Sequence, residues 1–369
     1  MNGSEETKRT AIRLLLVGAG HAHLHLLDRA DRLRAAGYRV ELLAPARFSY
    51  SGVASASVAG SLPADAGRID VRALARATGV DLHVGRLAAL DLERGRARAE
   101  DGAELGFDVI SVNIGSVVDP RGLQVDEAVW RVKPLEGLAG LRAELSGRAT
   151  PATISVVGGG STGIELAAQL IGRPDVARVR LLEAERQIGS DLPRGAQLRA
   201  RRLLIGRGVE IRTDFALDRL TATQAWADDV GVAHDQAVLA TGLAAPPLVA
   251  ATGLGDRRGV PVRPTLQHVD HDHVFAVGDC PRFVPQPLAR VGVHGVRQAP
   301  VLLDNLVARA TSRPLRDYEP PRRWLSILDL GGGVGLAVRG RFWWCGTAAL
   351  RLKRRIDRRW LARYRTPAG

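Results

Sequence analysis

The sequence predicts an α/β chain of two strand–turn–helix units of one design, the second inserted into the first, with a basic amphipathic segment at the end. Three observations predict it. Gly18-Ala19-Gly20 follows the apolar run IRLLLV and opens a helical pattern. Gly158-Gly159-Gly160-Ser161-Thr162-Gly163 follows ATISVV and does the same 140 residues later. A short apolar strand, VFAV, ends in Gly278-Asp279-Cys280 after the second unit is complete. That late strand has no unit of its own, so the simplest topology returns the chain to finish the first.

The elements follow in order. Residues 12–17 read as a buried parallel strand, the glycine turn follows, and a helix runs from about 23 to 36. Gly37 stops it, and YRVELLA at 38–44 completes a βαβ unit. VRALARATG reads as a helix, 80–90 as a strand and FDVISVNIG at 107–115 as a further buried strand. Residues 116–150, with Pro120, Pro134 and several glycines, cross to the second unit. There ATISVVGGG is strand and turn, STGIELAAQLIG helix, ARVRLLEA strand, and AVLATG ends the last strand at 242. Pro246, Pro247, Pro261 and Pro264 mark the return. Residues 321–339 read as a short sheet turning at Gly331–Gly333, and the remainder as a basic helix. The expected division is 1–125 with 243–320, then 126–242 inserted, then 321–369.

A chain of 369 residues supports two domains with their own cores, and 46% apolar content makes it globular. The net charge is +13, carried almost wholly by arginine; lysine occurs only at 8, 133 and 353. Two cysteines, Cys280 and Cys345, form no CxxC or CxxxxC pattern, so neither a disulfide framework nor a redox dithiol is expected. The polar N-terminus, MNGSEETKRT, has no apolar core of a leader, and no run of 18 apolar residues occurs. The expected location is cytoplasmic, peripheral on the inner face of the cell membrane.

A strand that feeds a helix through a tight turn leaves unpaired N–H groups at the helix start, which with the helix dipole favour a pyrophosphate. Gly158, Gly160 and Gly163 have the full G-x-G-x-x-G spacing, and Glu183 ends the next strand 20 residues on. A carboxylate there bonds ribose hydroxyls and repels a 2′-phosphate, which favours NADH over NADPH; Arg186 argues the other way. In the first turn Gly18 and Gly20 are present but His23 stands at the third position. No acid ends the next strand, so Arg47 is the candidate contact to the adenosine half. Asp279, at the end of a buried strand, is placed to accept from a flavin ribityl hydroxyl; a turn or capping Asp is the alternative.

These residues together resemble the two-dinucleotide-domain flavoproteins, and among them the type II NADH dehydrogenase-like group, in the branch associated with selenide, water dikinase. GAGHAH, APARFSYSG, VISVNIGS, VKPLEG, VVGGGSTGIELA, LATG, VFAVGDC and VHGVRQAPVLLDNL occur in the order of that superfamily and span about 12–365. The resemblance implies two Rossmann-like domains, an FAD domain interrupted by an inserted NAD domain. By it, Gly18, Gly20, Gly278 and Asp279 contact FAD, and Gly115 and Gly242 lie in turns that close near the cofactors. Glu165 matches a carboxylate between the nicotinamide and quinone sites, and His294 and Gln298 match a helix under the flavin ring. This chain departs from those dehydrogenases at Val293-His294, where they carry Ala-Gln.

Hydride transfer from nicotinamide to flavin needs stacked rings at roughly 3–3.5 Å and no protein nucleophile. Reoxidation by a quinone takes two electrons and two protons, for which Glu165 and His294 are the candidate relays. His21 and His25 have the i, i+4 spacing of a zinc pair, and His268, His271 and His273 cluster with Asp270 and Asp272. A metal is not expected at either; His21 at a helix start reads better as a pyrophosphate donor. Residues 339–365 hold ten Arg or Lys and one acid, Asp357. Leu352, Ile356, Trp360 and Tyr364 recur every fourth residue as one apolar helix face, with Arg351, Arg354, Arg355, Arg358 and Arg359 off it. An anionic membrane surface, docking on the protein itself and a homodimer contact stay open for this segment; nucleic acid is not expected. The acceptor is expected to be a quinone or another two-electron acceptor. The alternatives are a small electron-carrier protein, a selenium or sulfur compound, and a non-catalytic redox-sensing role in selenium metabolism.

Overall fold

The computed structural model describes residues 11–365; the polar N-terminal stretch expected not to be a leader lies outside them. Two five-stranded parallel sheets organise the molecule. In the first the spatial order is Val274–Ala276, Val109–Val112, Ile12–Val17, Tyr38–Ala44, Asp81–Val84. In the second it is Trp130–Arg131, Gln236–Leu239, Ala152–Val157, Val176–Leu182, Glu210–Arg212. The glycine-bearing strand is central in both. Its residues are apolar because helices and neighbouring strands cover both faces: Leu14, Leu15, Leu16 and Val17 are buried, as are Ile154, Val156 and Val157. Val274–Ala276 bonds to Val109–Val112, so the chain does return to the first sheet. The outward and return crossings, Val117–Val118 and Leu243–Ala244, pair antiparallel with each other. Gln124–Val125 already pairs with Arg219–Leu220 in an accessory sheet of the second unit.

Three local expectations need correction. The strand expected over 80–90 is two strands: Asp81–Val84 ends the first sheet, and beyond Gly85 the run Leu87–Asp91 pairs with Arg96–Ala99 instead. The first helix is broken at Asp28–Arg29 into His21–Leu27 and Ala30–Ala35. The terminal helix starts only at Thr347; Phe342–Gly346 before it is the third strand of a small antiparallel sheet with Leu325–Asp329 and Gly335–Arg339.

Two apolar cores lie around the two large sheets, and the C-terminal part joins both. Leu328, Leu330, Leu336 and Val338 of the small sheet enter the second core. Leu361 and Tyr364 of the helix Thr347–Tyr364 enter the first. Among the described residues no helix is long and apolar enough to cross a membrane.

Candidate functional site

The first glycine turn is held by the strand beside it. Gly18 has φ +84° and its N–H donates to Leu43 O at 2.8 Å. A Cβ on Gly18 would meet Asn113 O at 2.5 Å, and one on Gly20 would meet Asn113 Oδ1 at 2.1 Å. His23, at the third position, is fully buried, with Nδ1 2.6 Å from Gly18 O and Nε2 2.9 Å from Ser111 Oγ. A carbonyl only accepts, so Nδ1–H donates to Gly18 O and Ser111 donates to Nε2. Burial pushes this imidazole down to about 4, so it is neutral at physiological pH.

The second turn is built differently. A Cβ at Gly163 would lie 1.8 Å from Gly158 O, whereas Gly160 faces open space. Glu183 sits across the turn, accepting from Gly159 N–H at 2.5 Å and from Glu185 N–H at 2.9 Å. Gly242, at the end of the last strand, has φ +131° and lies against the Arg121 guanidinium.

A cleft of about 440 Å³ opens at the first turn. Gly18, Gly20, His21, Arg47, Gly115, Gly278 and Asp279 all line it, so every residue expected there is brought together. Gly158, Gly160, Gly163, Glu183 and Gly242 lie outside it, on the second unit. Asp279 is the charged centre. Lys133 Nζ is 2.5 Å from its Oδ2, and Ser116 Oγ donates to the same oxygen at 2.9 Å. Burial alone would raise this carboxyl, but Lys133, then Ser116, hold it below its usual range. Sequence reasoning missed Lys133, Ser116 and Asn113 as cleft residues; the one signal available was that Lys133 is among three lysines in an arginine-rich chain. Asn113 Nδ2 donates to Val277 O at 2.7 Å, while its buried Oδ1 has no partner.

The helix Gly292–Ala310 turns glycines, not its polar residues, to the cleft. Gly292 and Gly295 line it. His294 and Gln298 are 3% and 1% exposed and point into the protein. Gly278 N–H donates to Gln298 Oε1 at 2.7 Å, and His294 Nδ1 lies 2.8 Å from Tyr318 Oη. Burial holds His294 below its ordinary value. Gln298 supports the Gly278-Asp279 turn from behind, while His294 packs against Tyr318 and Trp324.

Beside the cleft, the terminal helix brings a second cluster to Glu165. Burial pushes the Glu165 carboxyl up to about 7, against the opposing charge of Lys353. Glu165 Oε1 accepts from Asp329 N–H at 3.2 Å. Lys353 Nζ is 3.1 Å from Asp357 Oδ2 and also donates to Gly52 O. Tyr50 Oη donates to Asp357 Oδ1 at 2.9 Å. Burial would lower Lys353, but Glu165 and Asp357 outweigh it and raise it. Trp360 stacks on Tyr50 with ring centres 4.4 Å apart and lies 4.8 Å from His21, which also meets Phe48 edge-on at 5.4 Å. Burial pushes His21 down to about 4. It is a neutral group in an aromatic box, and its spacing partner His25 sits near Arg363 instead. Among the described residues no group of three or more His, Cys, Asp or Glu is placed to hold a metal ion.

The helix face differs from the one expected. Its inward residues are Leu350, Lys353, Asp357, Leu361 and Tyr364, with Trp360 half-buried; Ile356 is 43% exposed. Of the four residues of the expected stripe, Tyr364 is buried, Leu352 and Trp360 are half-buried and only Ile356 is exposed. Cys280 and Cys345 are both free, one fully buried in the first core and one in the small sheet.

Comparison with known proteins supplies the family. Residues 12–300 match the family model of pyridine nucleotide-disulphide oxidoreductases. The chain is 27% identical over 338 residues to a probable ferredoxin reductase, CtmF, of Castellaniella defragrans, covering 86% of this chain and 80% of that one. It is 27% identical over 277 residues to ferroptosis suppressor protein 1 of Taeniopygia guttata, covering 68% and 70%. Its fold is similar to that of NDH2 from Plasmodium falciparum, solved with NADH, at a TM-score of 0.80 and 12% identity over 96% of this chain and 98% of that one. The residues present fit the cofactors: a glycine-lined cleft with an unpartnered buried carbonyl at Asn113, and a second turn left open at Gly160. The chain belongs to the pyridine nucleotide-disulphide oxidoreductase family and is an FAD- and NAD(P)H-dependent oxidoreductase, though it lacks the cysteine pair of the family's name.

Proposed function

We propose that this enzyme oxidises NADH and reduces a quinone-like, two-electron acceptor. Gly18, Gly20, His21, Arg47, Gly115, Gly278 and Asp279 hold FAD, and Gly158, Gly160, Gly163, Glu183 and Gly242 hold the nicotinamide dinucleotide. Bound FAD would supply two-electron redox chemistry between NADH and the acceptor. Lys133 keeps Asp279 ionised, so it accepts hydrogen bonds and does not donate them. Glu183 favours NADH over NADPH because its carboxylate repels a 2′-phosphate.

The observation that carries the acceptor assignment is the cluster of Glu165, Lys353, Asp357 and Tyr50. Reducing a quinone consumes two protons with the two electrons. A carboxyl titrating at about 7 both gives and takes a proton near neutral pH, and Lys353 and Asp357 keep it beside a fixed charge pair. Gln298 acts as a positioning residue for the Gly278-Asp279 turn, and His294, buried against Tyr318, is not a relay.

The test separates the two halves of the reaction. Glu165→Gln is expected to leave anaerobic bleaching of the flavin by NADH within about twofold of wild type. It should lower kcat with a soluble quinone by roughly 10²-fold and remove a pH dependence centred near 7. Unchanged quinone reduction in the variant would reject the assignment. A second reading, a small electron-carrier protein as acceptor, is favoured by the resemblance to CtmF over most of the chain. It predicts rapid NADH-driven reduction of a ferredoxin and none of a quinone.

A further inference from the structure

The helix Ser161–Leu170 starts at the second glycine turn with no cap of its own. Gly160 stands at its N-cap without a side-chain bond, and its first turn carries no acid. An acid reaches it from elsewhere. Ser161, the first helical residue, donates through Oγ to Asp191 Oδ2 at 2.6 Å. The serine is half-buried and the aspartate exposed.

Asp191 is held there by the segment that joins the strand Val176–Leu182 to the helix Arg194–Gly206. Gly189 N–H donates to Gly159 O at 2.7 Å, which ties that segment onto the glycine turn. Leu192 N–H donates to Gly189 O at 2.8 Å and closes a turn with Asp191 in its third position. Ile188 and Leu192 are buried and anchor the turn at both ends. Two carboxylates of the chain thus occupy donors of one glycine turn, Glu183 at Gly159 N–H and Asp191 at the Ser161 hydroxyl.

Charge decides what the second of these does. Ser161 stands where His21 stands in the first turn, directly after the second glycine of the motif. Beside that first turn the carboxylate of Asp279 is neutralised by Lys133 at 2.5 Å. Among the described residues Asp191 has no such cation. A helix N-terminus favours one anion, and a pyrophosphate seeks the place that Asp191 borders. The two anions repel, and the Ser161 hydroxyl donates to only one of them. A resident cofactor gains nothing from a competitor, whereas a dinucleotide that must leave after each hydride transfer does.

We infer that Asp191 is a competitor built into the dinucleotide site. It holds the Ser161 hydroxyl until the dinucleotide arrives, weakens NADH and NAD+ alike and hastens the release of NAD+. Asp191 is in this a positioning residue that acts through Ser161 and through its charge. The inference rests on the second turn holding the nicotinamide dinucleotide.

The test is equilibrium binding of NAD+ to the oxidised, flavin-loaded protein by titration calorimetry, where no turnover intervenes. Asp191→Ala is expected to lower the Kd about fivefold, and Asp191→Asn, which keeps an acceptor for Ser161 but loses the charge, about threefold. Most of the gain should appear as slower dissociation of NAD+ in stopped flow. In a Ser161→Ala background Asp191→Ala should gain only about threefold, the part due to charge alone. The gain of Asp191→Asn should shrink as salt is raised from about 0.05 to about 0.5 M. Each variant should keep the wild-type flavin spectrum, since Ser161 and Asp191 lie outside the first cleft. A merely structural contact would weaken binding when lost; that result, or an unchanged Kd in Asp191→Ala, overturns the assignment. Glu183→Ala, measured in parallel, separates the residue from the site. If Glu183→Ala weakens NAD+ binding and Asp191→Ala leaves it unchanged, only the role of Asp191 is rejected. If neither variant changes it, the second turn is not the dinucleotide site and both assignments fall.

Discussion

The two glycine turns carry nearly the same sequence signature and part company at the third position. In the second, the third glycine is dictated inside the turn, since a Cβ at Gly163 would stand 1.8 Å from Gly158 O. In the first, the corresponding position holds a fully buried histidine that bonds the corresponding carbonyl, Gly18 O, directly. Both turns are also constrained from outside: Gly18 and Gly20 are pressed by Asn113, just past the strand Val109–Val112, and Gly158 by Ala240 O, just past the strand Gln236–Leu239. The motif's glycines thus report two distinct facts, close approach within a turn and close approach of a second strand. A departure at one position says nothing about the others.

The largest expected effect comes from exchanging the third positions. Gly163→Ala forces a methyl into a backbone carbonyl and should destabilise the protein by more than about 3 kcal/mol, abolishing NADH binding. His23→Gly restores the fingerprint on paper. It should nevertheless cost about 3 kcal/mol, because it leaves a cavity and strips Gly18 O and Ser111 Oγ of their partner. Urea denaturation of both variants checks this. A His23→Gly protein as stable as wild type would erase the difference between the turns.

Acid should separate the turns next. His21 and His23 flank the first helix start with their imidazoles pushed down to about 4; the second turn has no histidine. Each folded value lies below the ordinary histidine value of about 6.5. The stability they contribute is therefore complete above about pH 6.5 and is lost as pH falls toward 4, by at most about 3 kcal/mol per imidazole. Unfolding midpoints at pH 7.5 and 5 should differ more for wild type than for His23→Gln, which cannot titrate. Equal differences would show that His23 is not held neutral by burial.

How much was legible follows from the reach of each constraint. The glycine turns show in sequence because a tight turn restricts residues a few positions apart, and Glu183 and Gly278-Asp279 stand out because each directly follows a short apolar strand. Lys133 beside Asp279, and Tyr50 beside Asp357, do not: the partners are 146 and 307 positions apart. The terminal helix was legible as a helix but misphased. A repeat of every fourth residue drifts about 40° per step round an α-helix, so Leu352 and Tyr364 end up about 120° apart. The face that is buried runs through 350, 353, 357, 361 and 364, two of them the i,i+4 charges Lys353 and Asp357, a pair that in sequence reads as a solvated face. Phe342–Gly346 was absorbed into the helix because a strand with exposed aromatics breaks the usual alternation that marks one.

A smaller effect separates how the turns hold ribose. Glu183→Ala removes the carboxylate from the second turn, which should raise KM for NADH about tenfold and narrow the preference over NADPH. An unchanged KM would leave the carboxylate only its present partners, the N–H groups of Gly159 and Glu185.

The smallest effect is expected at the first turn's counterpart. No acid ends Tyr38–Ala44; Glu41 is ion-paired with Arg39, and the cleft is met there by the exposed Arg47. An exposed guanidinium is screened by water and salt, so Arg47→Ala should weaken FAD binding by only about threefold. Raising salt from 0.05 to about 0.5 M should reproduce most of that loss in wild type and little in the variant. A loss of a hundredfold would mean that Arg47 is desolvated by the cofactor and does for the first turn what a carboxylate does for the second. The two turns would then differ in the sign of the charge they use and not in the strength of their grip.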